Sequence, residues 1–207
     1  MSAGSSPLSI QDAGRQTTTL VLPGLGDSGP LHWQTLWQKD RPWMRRVEQR
    51  DWESPHLADW VENLEAAVRG CEDPLLLVAH SAACVLVARW AALHPRAIRG
   101  ALLVAPADAE AASFPPGTTG FSPMVLAPLP FPSTVVASSD DPYVSPARAR
   151  QFALAWGSRL VEIGPARHIN ADSGHGDWQA GLKLLRELES AAWPGPVPAA
   201  TRRPDRE

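Results

Sequence analysis

A serine lies at the predicted apex of a strand-to-helix turn and has small residues on both sides. Ser81 is the centre of the run Ala79-His80-Ser81-Ala82-Ala83, which follows an apolar segment at residues 75–79. Small residues two positions before and after a serine are typical of a nucleophile elbow, because larger side chains would collide with the strand or helix packed against the turn. The usual pattern has glycine at both positions, so the alanines leave open a second interpretation, in which Ser81 only caps a helix.

An activated serine requires two further side chains, and candidates for both follow Ser81 in the chain. A serine hydroxyl is a weak nucleophile at neutral pH, so it needs an imidazole base and a carboxylate that fixes the tautomer of that imidazole. Asp141 follows the apolar segment 134–138, and His168 follows the apolar segment 160–163. Because the carboxyl ends of parallel strands meet at one edge of a sheet, we predict a catalytic triad of Ser81, Asp141 and His168.

Each partner of Ser81 has a neighbouring competitor in the sequence. We prefer Asp141 to Asp140 because the Asp141-Pro142 step turns the chain away from the strand, although either aspartate could simply form a turn. We prefer His168 to His175 because His168 lies closer to the end of its predicted strand.

Acyl-transfer chemistry at Ser81 would also need backbone N–H groups that stabilise a developing oxyanion. The N–H of Ala82 at the start of the next helix is one candidate, and the N–H of Leu25 in the loop 23–26 is the other. If the first and third strands are neighbours, that loop lies beside Ser81. The glycines of the loop could instead suggest phosphate binding, but the loop lacks both the Lys-Ser/Thr pair of a P-loop and the third glycine of a dinucleotide fingerprint.

Candidate pocket residues lie in three places. His32 and Trp33 stand near the start of the first predicted helix, where they could either line a pocket or pack in the core. The segment from Ala107 to Ser133 is long and rich in proline, so we expect it to form one wall of a small pocket. Its larger apolar side chains are Phe114, Phe121, Met124 and Phe131. The third place is His175, which follows His168 in the chain.

Short apolar runs alternate with segments of helical period, which predicts an α/β fold with a mainly parallel sheet of about six strands flanked by helices. The predicted strands are Thr18 to Leu22, Arg46 to Arg50, Leu75 to Ala79, Ala101 to Ala105, Thr134 to Ser138 and Leu160 to Ile163. The predicted helices are Leu31 to Lys39, Leu57 to Arg69, Ala82 to Leu93, Pro146 to Ala155 and Trp178 to Ala191. We assign residues 17–192 to one α/β-hydrolase domain, between disordered tails at 1–16 and 193–207.

Composition limits the classes of molecule that the protein is expected to bind. The 207 residues carry a net charge of -3 and no block of basic residues, so nucleic acid is not expected as a partner. No apolar run is long enough to span a bilayer, and the two cysteines, Cys71 and Cys84, favour a reducing cytoplasm over a disulfide framework. We expect a small-molecule ester or amide substrate, and nothing in the sequence supports a protein partner.

The chain resembles the small serine hydrolases related to retinoblastoma-binding protein nine, a family with many uncharacterised bacterial members. The resemblance spans about residues 18–188, and its blocks are Leu22-Pro23-Gly24, His32-Trp33-Gln34, Asp51-Trp52, Val78 to Ser81, Val104 to Asp108, Leu129 to Ser133, Ser138 to Val144, His168-Ile169-Asn170 and Ser173-Gly174. It implies a triad of Ser81, Asp141 and His168, no large cap domain and no cofactor. One departure is Arg167, which stands where the family often has glycine.

Two other classes of function remain as alternatives. The first is a catalytically weak or silent module that binds a protein through the same fold. The second is a metal-dependent hydrolase, whose ligands would come from one short loop: His168, Asp172, His175 and Asp177. The glycine and serine residues between these side chains suit a flexible rim, and no second ligand cluster is visible, which argues against a metal site.

Overall fold

The computed structural model describes residues 17–72, 74–94, 96 and 98–191. Within them, six parallel strands form one sheet in the order β2-β1-β3-β4-β5-β6. The strands are β1 (Thr18–Leu22), β2 (Met44–Arg46), β3 (Leu75–His80), β4 (Gly100–Val104), β5 (Ser133–Ala137) and β6 (Arg159–Glu162). The helices are α1 (Trp33–Lys39), α2 (Leu57–Arg69), α3 (Ala82–Leu93), α4 (Pro146–Trp156) and α5 (Gln179–Ser190). The predicted disordered tails lie outside the described residues.

The sheet is buried on both faces, and alternate residues of each strand face opposite helices. In β3, Leu75, Leu77 and Ala79 belong to a core cluster with α2, α3 and α4, whereas Leu76 and Val78 belong to a cluster with α1 and α5. This separation follows from the two-residue period of a strand. Burial of both faces also explains why the central strands read as continuous apolar runs in the sequence.

The sheet has its topological switch point between β1 and β3. The chain leaves β1 for β2 on one side and leaves β3 for β4 on the other. Leu22 at the end of β1 is in register with Ala79 of β3, so the loop after β1 and the turn after β3 begin side by side. Ligands of open α/β sheets bind at such a crevice, and the predicted neighbour relation of these two strands is confirmed.

The second strand lies earlier in the chain than the predicted range of 46–50. It covers only Met44–Arg46, because pairing with β1 ends after the N–H of Val47 donates to the carbonyl of Val21 at 2.9 Å. Val47 is buried, while the polar residues that follow it face outward and leave the sheet edge. The other strand and helix boundaries differ from the predicted ones by two residues or fewer.

The connection from β4 to β5, residues 105–132, is built of turns that cover the face of the sheet occupied by α2 and α3. It is attached through backbone bonds such as that from Leu57 N–H to the carbonyl of Thr119, at 2.8 Å. The indole N–H of Trp156 donates to the carbonyl of Val125 at 2.8 Å. Across the described ranges, none of the helices is both long and apolar enough to cross a bilayer.

Candidate active site

Ser81 occupies a sharp turn between β3 and α3. Its φ of 57° and ψ of -124° lie in a region that non-glycine residues rarely adopt, at a cost of about 1–3 kcal/mol. The turn is held by the Ser81 N–H, which donates to the carbonyl of Val104 at 3.0 Å. Ala79 and Ala83 are fully buried on either side, which explains why this elbow requires small residues there.

Ser81, His168 and Asp141 form one hydrogen-bonded chain. The Ser81 hydroxyl lies 2.8 Å from His168 Nε2, and His168 Nδ1 lies 2.9 Å from both carboxylate oxygens of Asp141. This arrangement fits a neutral imidazole whose Nδ1–H donates to Asp141 and whose Nε2 accepts the serine proton. The Asp141 side chain is completely buried and also accepts the backbone N–H of Tyr143 at 2.9 Å.

Asp140 has a different set of partners. One of its oxygens accepts hydrogen bonds from the Ser138 hydroxyl at 2.7 Å, the Ala166 N–H at 2.8 Å and the Arg167 N–H at 2.7 Å. The bond from Ser138 and those from the two N–H groups lower the pKa of the Asp140 carboxyl. Asp140 therefore joins the loop after β5 to the loop that carries His168.

The loop around His168 is strained on both sides of the imidazole. Arg167 has a φ of 50° and Ile169 a φ of 49°, which are left-handed conformations that favour glycine. His80 Nε2–H donates to the carbonyl of His168 at 2.9 Å, and the Trp33 indole N–H donates to the carbonyl of Ile169 at 2.7 Å. These two bonds, with those to Asp140, fix the backbone that positions the imidazole.

His80 is suited to this role because its ring remains neutral. Burial, with smaller contributions from the neighbouring rings of His168 and His32, holds the pKa of His80 well below its ordinary value. A neutral imidazole that donates from Nε2 carries no proton on Nδ1. His80 thus supports the backbone that carries the base, His168. Within the described residues, no hydrogen bond joins a His80 ring nitrogen to the Ser81 hydroxyl.

The loop after β1 approaches the elbow closely. A side chain on Gly24 would place its Cβ 2.8 Å from the Ser81 Cβ and 3.1 Å from the carbonyl oxygen of His80, so only glycine fits there. The loop is held by the Gly26 N–H, which donates to the carbonyl of Trp52 at 2.9 Å. Leu25 consequently lines the cavity over Ser81. Ala82 is the first residue of α3, where a backbone N–H has no intrahelical acceptor.

The cavity over Ser81 has a volume of about 220 Å³, and part of its lining is apolar. The apolar lining includes Leu25, Ala107, Phe114 and Pro115, and the last three come from the long connection between β4 and β5. The ring of Tyr143 also lines the cavity and packs edge-on against the imidazole of His168, with ring centroids 4.5 Å apart.

Only part of the predicted pocket set lines this cavity. His32 does, whereas Trp33 packs under the His168 loop and His175 Nε2 lies 3.3 Å from the carbonyl of Ala166. Phe121 and Phe131 are core residues, because they are buried and pack against the tryptophans of α2 and α3. Apolar side chains in a long loop can serve either purpose, and the sequence alone does not distinguish them.

Several lining residues escaped the sequence analysis, among them Asp27, Tyr143 and Asn170. Tyr143 and Asn170 are close in sequence to Asp141 and His168, and that proximity was the signal that could have found them. Asp27 carried no such signal. It reaches the cavity because Gly26 and Asp27 both have a positive φ, which turns the loop over the serine.

The four side chains considered as metal ligands do not come together. His168 is hydrogen-bonded to Ser81 and Asp141, while Asp177 accepts a hydrogen bond from the side chain of Gln179. Over the part of the chain that the structure describes, no group of three or more His, Cys, Asp or Glu side chains could hold a metal ion.

Comparison with known proteins places the chain in a family. Residues 19–187 match the model of a family described as serine hydrolase. A YdeN-like hydrolase of Pectobacterium atrosepticum has 35% identity and a TM-score of 0.76, with 84% of this chain and 90% of that chain covered. No curated protein sequence matches the chain.

More distant structures share the fold. The ydeN gene product of B. subtilis has 20% identity and a TM-score of 0.71, with 84% of this chain and 100% of that chain covered. A hydrolase of Oleispira antarctica has 14% identity and a TM-score of 0.62, with 86% and 92% covered. The chain is therefore an α/β-hydrolase-fold protein that belongs to the serine hydrolase family.

Proposed function

We propose that this protein hydrolyses small carboxylic esters, and amides less readily, through an acyl-enzyme on Ser81. The observation that carries the proposal is the 2.8 Å contact between the Ser81 hydroxyl and an imidazole that is itself oriented by a buried carboxylate. Hydroxyl, base and orienting group within hydrogen-bond reach are the geometric requirements of an activated serine. Membership of the serine hydrolase family supports the same reaction class.

In the first half of the reaction, Ser81 Oγ attacks the carbonyl carbon while His168 Nε2 takes the hydroxyl proton. Asp141 stabilises the resulting imidazolium through the bond to Nδ1. The tetrahedral intermediate then expels the alcohol, whose oxygen receives the proton from Nε2. In the second half, water attacks the acyl-serine, His168 takes a proton from the water, and Ser81 leaves with that proton as the acid is released.

The backbone N–H groups of Leu25 and Ala82 are our candidates for the oxyanion hole. The close approach of Gly24 to Ser81 and the position of Ala82 at the start of α3 support this assignment. Loss of one such donor typically raises a barrier by about 3–4 kcal/mol. We further propose that the protein works in a reducing cytoplasm, since Cys71 and Cys84 are both free and buried.

Covalent labelling tests this proposal without a known substrate. The protein is treated with a fluorophosphonate probe, and intact mass is measured for the wild type, Ser81→Ala and the control Ser190→Ala, which removes an exposed hydroxyl from α5. We expect one adduct on the wild type and on Ser190→Ala, and none on Ser81→Ala. A folded wild-type protein that forms no adduct would contradict the proposal and favour a silent binding module.

Hydrolysis of a short ester gives the second test. Wild-type protein should release p-nitrophenol from p-nitrophenyl butyrate, and Ser81→Ala should lose this activity by several orders of magnitude. Activity that persists in Ser81→Ala would place the reaction elsewhere on the protein.

A further inference from the structure

The side chain of Gln34, in α1, is completely buried and has three hydrogen-bond partners. Its amide nitrogen lies 3.1 Å from the carbonyl oxygen of Leu22 and 3.2 Å from that of Val78, and it can donate one proton to each. Its amide oxygen accepts the Ser28 hydroxyl at 2.6 Å. This one side chain therefore joins three separate points of the chain.

Two of these partners enclose the loop after β1. Leu22 ends β1, and Ser28 follows the loop at residues 23–27, so the buried amide holds both ends of that loop. The carbonyl of Ser28 is also attached to α1, because it accepts the Thr35 hydroxyl at 2.6 Å. The loop carries Leu25, our candidate for one N–H of the oxyanion hole.

The third partner lies across the switch point. Val78 is in β3, the strand that runs into Ser81, and it is in register with Val21 of β1. One amide thus bridges β1 and β3 near the ends from which the loop and the elbow begin. The two are closely packed, because a Cβ on Gly24 would lie 2.8 Å from the Ser81 Cβ. A change in the relative position of the strands would consequently change the distance from the N–H groups of the loop to Ser81.

Burial of an amide at this position is not the arrangement that stability alone would favour. A buried amide gives up its hydrogen bonds to water, and its bonds inside the protein largely offset that cost. Methionine has nearly the same length and could fill a similar space without a strongly polar group. A buried polar network whose members have their partners instead fixes one geometry of the groups that it joins. The contacts of Gln34 therefore fit a positional role.

We propose that Gln34 is a positioning residue for the oxyanion hole, and that its side-chain amide holds the Leu25 N–H at the distance from Ser81 that the oxyanion requires. This inference rests on the proposed acyl transfer at Ser81 and adds a residue to it. The oxyanion develops only after the ester is bound, so a displaced donor lowers kcat without a matching rise in KM. Within the described residues, the Gln34 side chain bonds to no member of the triad, so proton transfer should keep its dependence on pH.

Two glutamine-to-methionine substitutions in α1 test the proposal. Gln34→Met keeps the length of the side chain but removes the amide. We expect kcat and kcat/KM for p-nitrophenyl butyrate to fall together by about 10- to 100-fold, with KM nearly unchanged. Gln38→Met is the matched control, because the amide of Gln38 bonds to Met44 and Arg46 of β2 and not to the loop or β3. It should leave kcat nearly unchanged.

Two further measurements separate a positional role from a general loss of structure. A trifluoromethyl ketone with a short alkyl chain forms a tetrahedral adduct with Ser81 whose oxygen occupies the oxyanion hole. Its inhibition constant should therefore weaken in Gln34→Met by the same factor as kcat/KM. The pH profile of kcat/KM should keep its wild-type inflection, because the base and its carboxylate are untouched. A shifted inflection would assign the loss to the triad and overturn the proposal.

Ser28→Ala provides the test if circular dichroism shows that Gln34→Met does not fold. It removes only the hydroxyl that binds the amide oxygen and leaves both donated bonds in place, so we expect kcat to fall about three- to tenfold with KM unchanged. In a folded Gln34→Met background, Ser28→Ala should cost nothing further, because its contact is already lost. A wild-type kcat in Gln34→Met, or in Ser28→Ala if only that variant folds, would overturn the proposal, as would an equal loss in Gln38→Met.

The wild-type protein shows which of the two proposals has failed. If it is labelled on Ser81 and hydrolyses the ester, and Gln34→Met does so equally well, only the role of Gln34 is wrong. If it is labelled but does not cleave p-nitrophenyl butyrate, the rate constant of fluorophosphonate labelling replaces kcat, because the phosphoryl oxygen occupies the same hole. The same loss of about 10- to 100-fold is then expected in Gln34→Met. If the wild type is neither labelled nor active, the proposed function fails, and this inference fails with it.

Discussion

The loop that carries His168 and the segment that walls the cavity are held in different ways. The His168 loop is fixed by short bonds from His80 and Trp33 to its carbonyls and by the Asp140 carboxylate on its N–H groups. The wall segment that follows β4 also has backbone bonds to its neighbours, but its start is held by side-chain ion pairs of Asp108 and Glu110 with Arg148, which are partly exposed.

This difference matches what the two regions do, because one positions the imidazole and the other lines the cavity. An imidazole that must meet a hydroxyl at 2.8 Å tolerates little displacement, because a shift of about 1 Å can cost about a hundredfold in rate. A wall that accommodates part of a substrate can move without loss of the reacting geometry. We therefore expect changes around His168 to lower kcat, and changes around Arg148 to alter KM.

The largest effect should come from the carboxylate that contacts the imidazole. Asp141→Asn should lower kcat by about 10⁴-fold, because an amide favours the wrong tautomer of His168. Asp140→Asn, its neighbour and matched control, should cost about tenfold or less, since it weakens only the attachment of the loop. Both are measured as kcat for p-nitrophenyl butyrate. A larger loss in Asp140→Asn would reverse the assigned roles of the two aspartates.

Removing the bond from His80 should have the next largest effect. His80→Leu leaves the carbonyl of His168 without its donor, and we expect kcat to fall by about 10- to 100-fold with little change in KM. His80→Gln can restore a donor and should recover part of kcat. Circular dichroism of both variants checks that they are folded. Equal losses in the two variants would show that the bond itself does not position His168.

Acidification should destabilise the fold through the two buried imidazoles. The pKa of His32 is lowered to about 4 and that of His80 is also lowered, so the unfolded chain binds more protons between about pH 6.5 and pH 4. Stability is full above this range and falls as the pH decreases. From pH 7 to pH 5, His32 alone should account for about 2 kcal/mol of the free energy of unfolding, measured by urea denaturation.

The variant His32→Asn provides the control for this pH dependence. It removes one of the two titrating rings, so its free energy of unfolding should depend less steeply on pH between 5 and 7 than that of the wild type. The same slope in both proteins would mean that His32 does not contribute to the acid sensitivity.

The smallest effect on the kinetic constants should come from changes to the wall segment that follows β4. Arg148→Gln releases Asp108 and Glu110, and partly exposed ion pairs contribute about 0–1 kcal/mol, so we expect KM to rise about two- to fivefold with kcat nearly unchanged. Arg150→Gln, on the same helix, breaks an exposed pair with Glu162 and should change neither constant. A fall in kcat for Arg148→Gln would show that the wall and the His168 loop are coupled.

Much of this architecture could be predicted because parallel strands buried on both faces have a distinct sequence pattern and end at one edge. Ser81, Asp141 and His168 each follow such a strand, and their hydrogen-bonded chain joins the positions chosen on that basis. The short strand β2 was misplaced because only one of its three residues, Met44, is apolar, so it has little apolar pattern.

Contacts between distant parts of the chain could not be predicted from the sequence. The bond from His80 to the carbonyl of His168 links residues 88 positions apart, and that from Trp33 to Ile169 spans 136. No local pattern encodes such a pairing, because it depends on how two loops pack over the sheet. The same reason explains why Trp33 looked like a pocket residue and why Asp27 was missed.

The two edge strands of the sheet also affect how copies of this protein meet. On β2, Arg46 donates to Asp27 and to the side chains of Thr35 and Gln38. On β6, Arg159 pairs with Glu187 of α5, while Glu162 pairs with Arg150 of α4. A second molecule that added a strand at either edge would have to place that strand beside these charged side chains. Charged edge strands are a common protection against aggregation, so the charged side chains of β2 and β6 disfavour pairing of two molecules edge to edge.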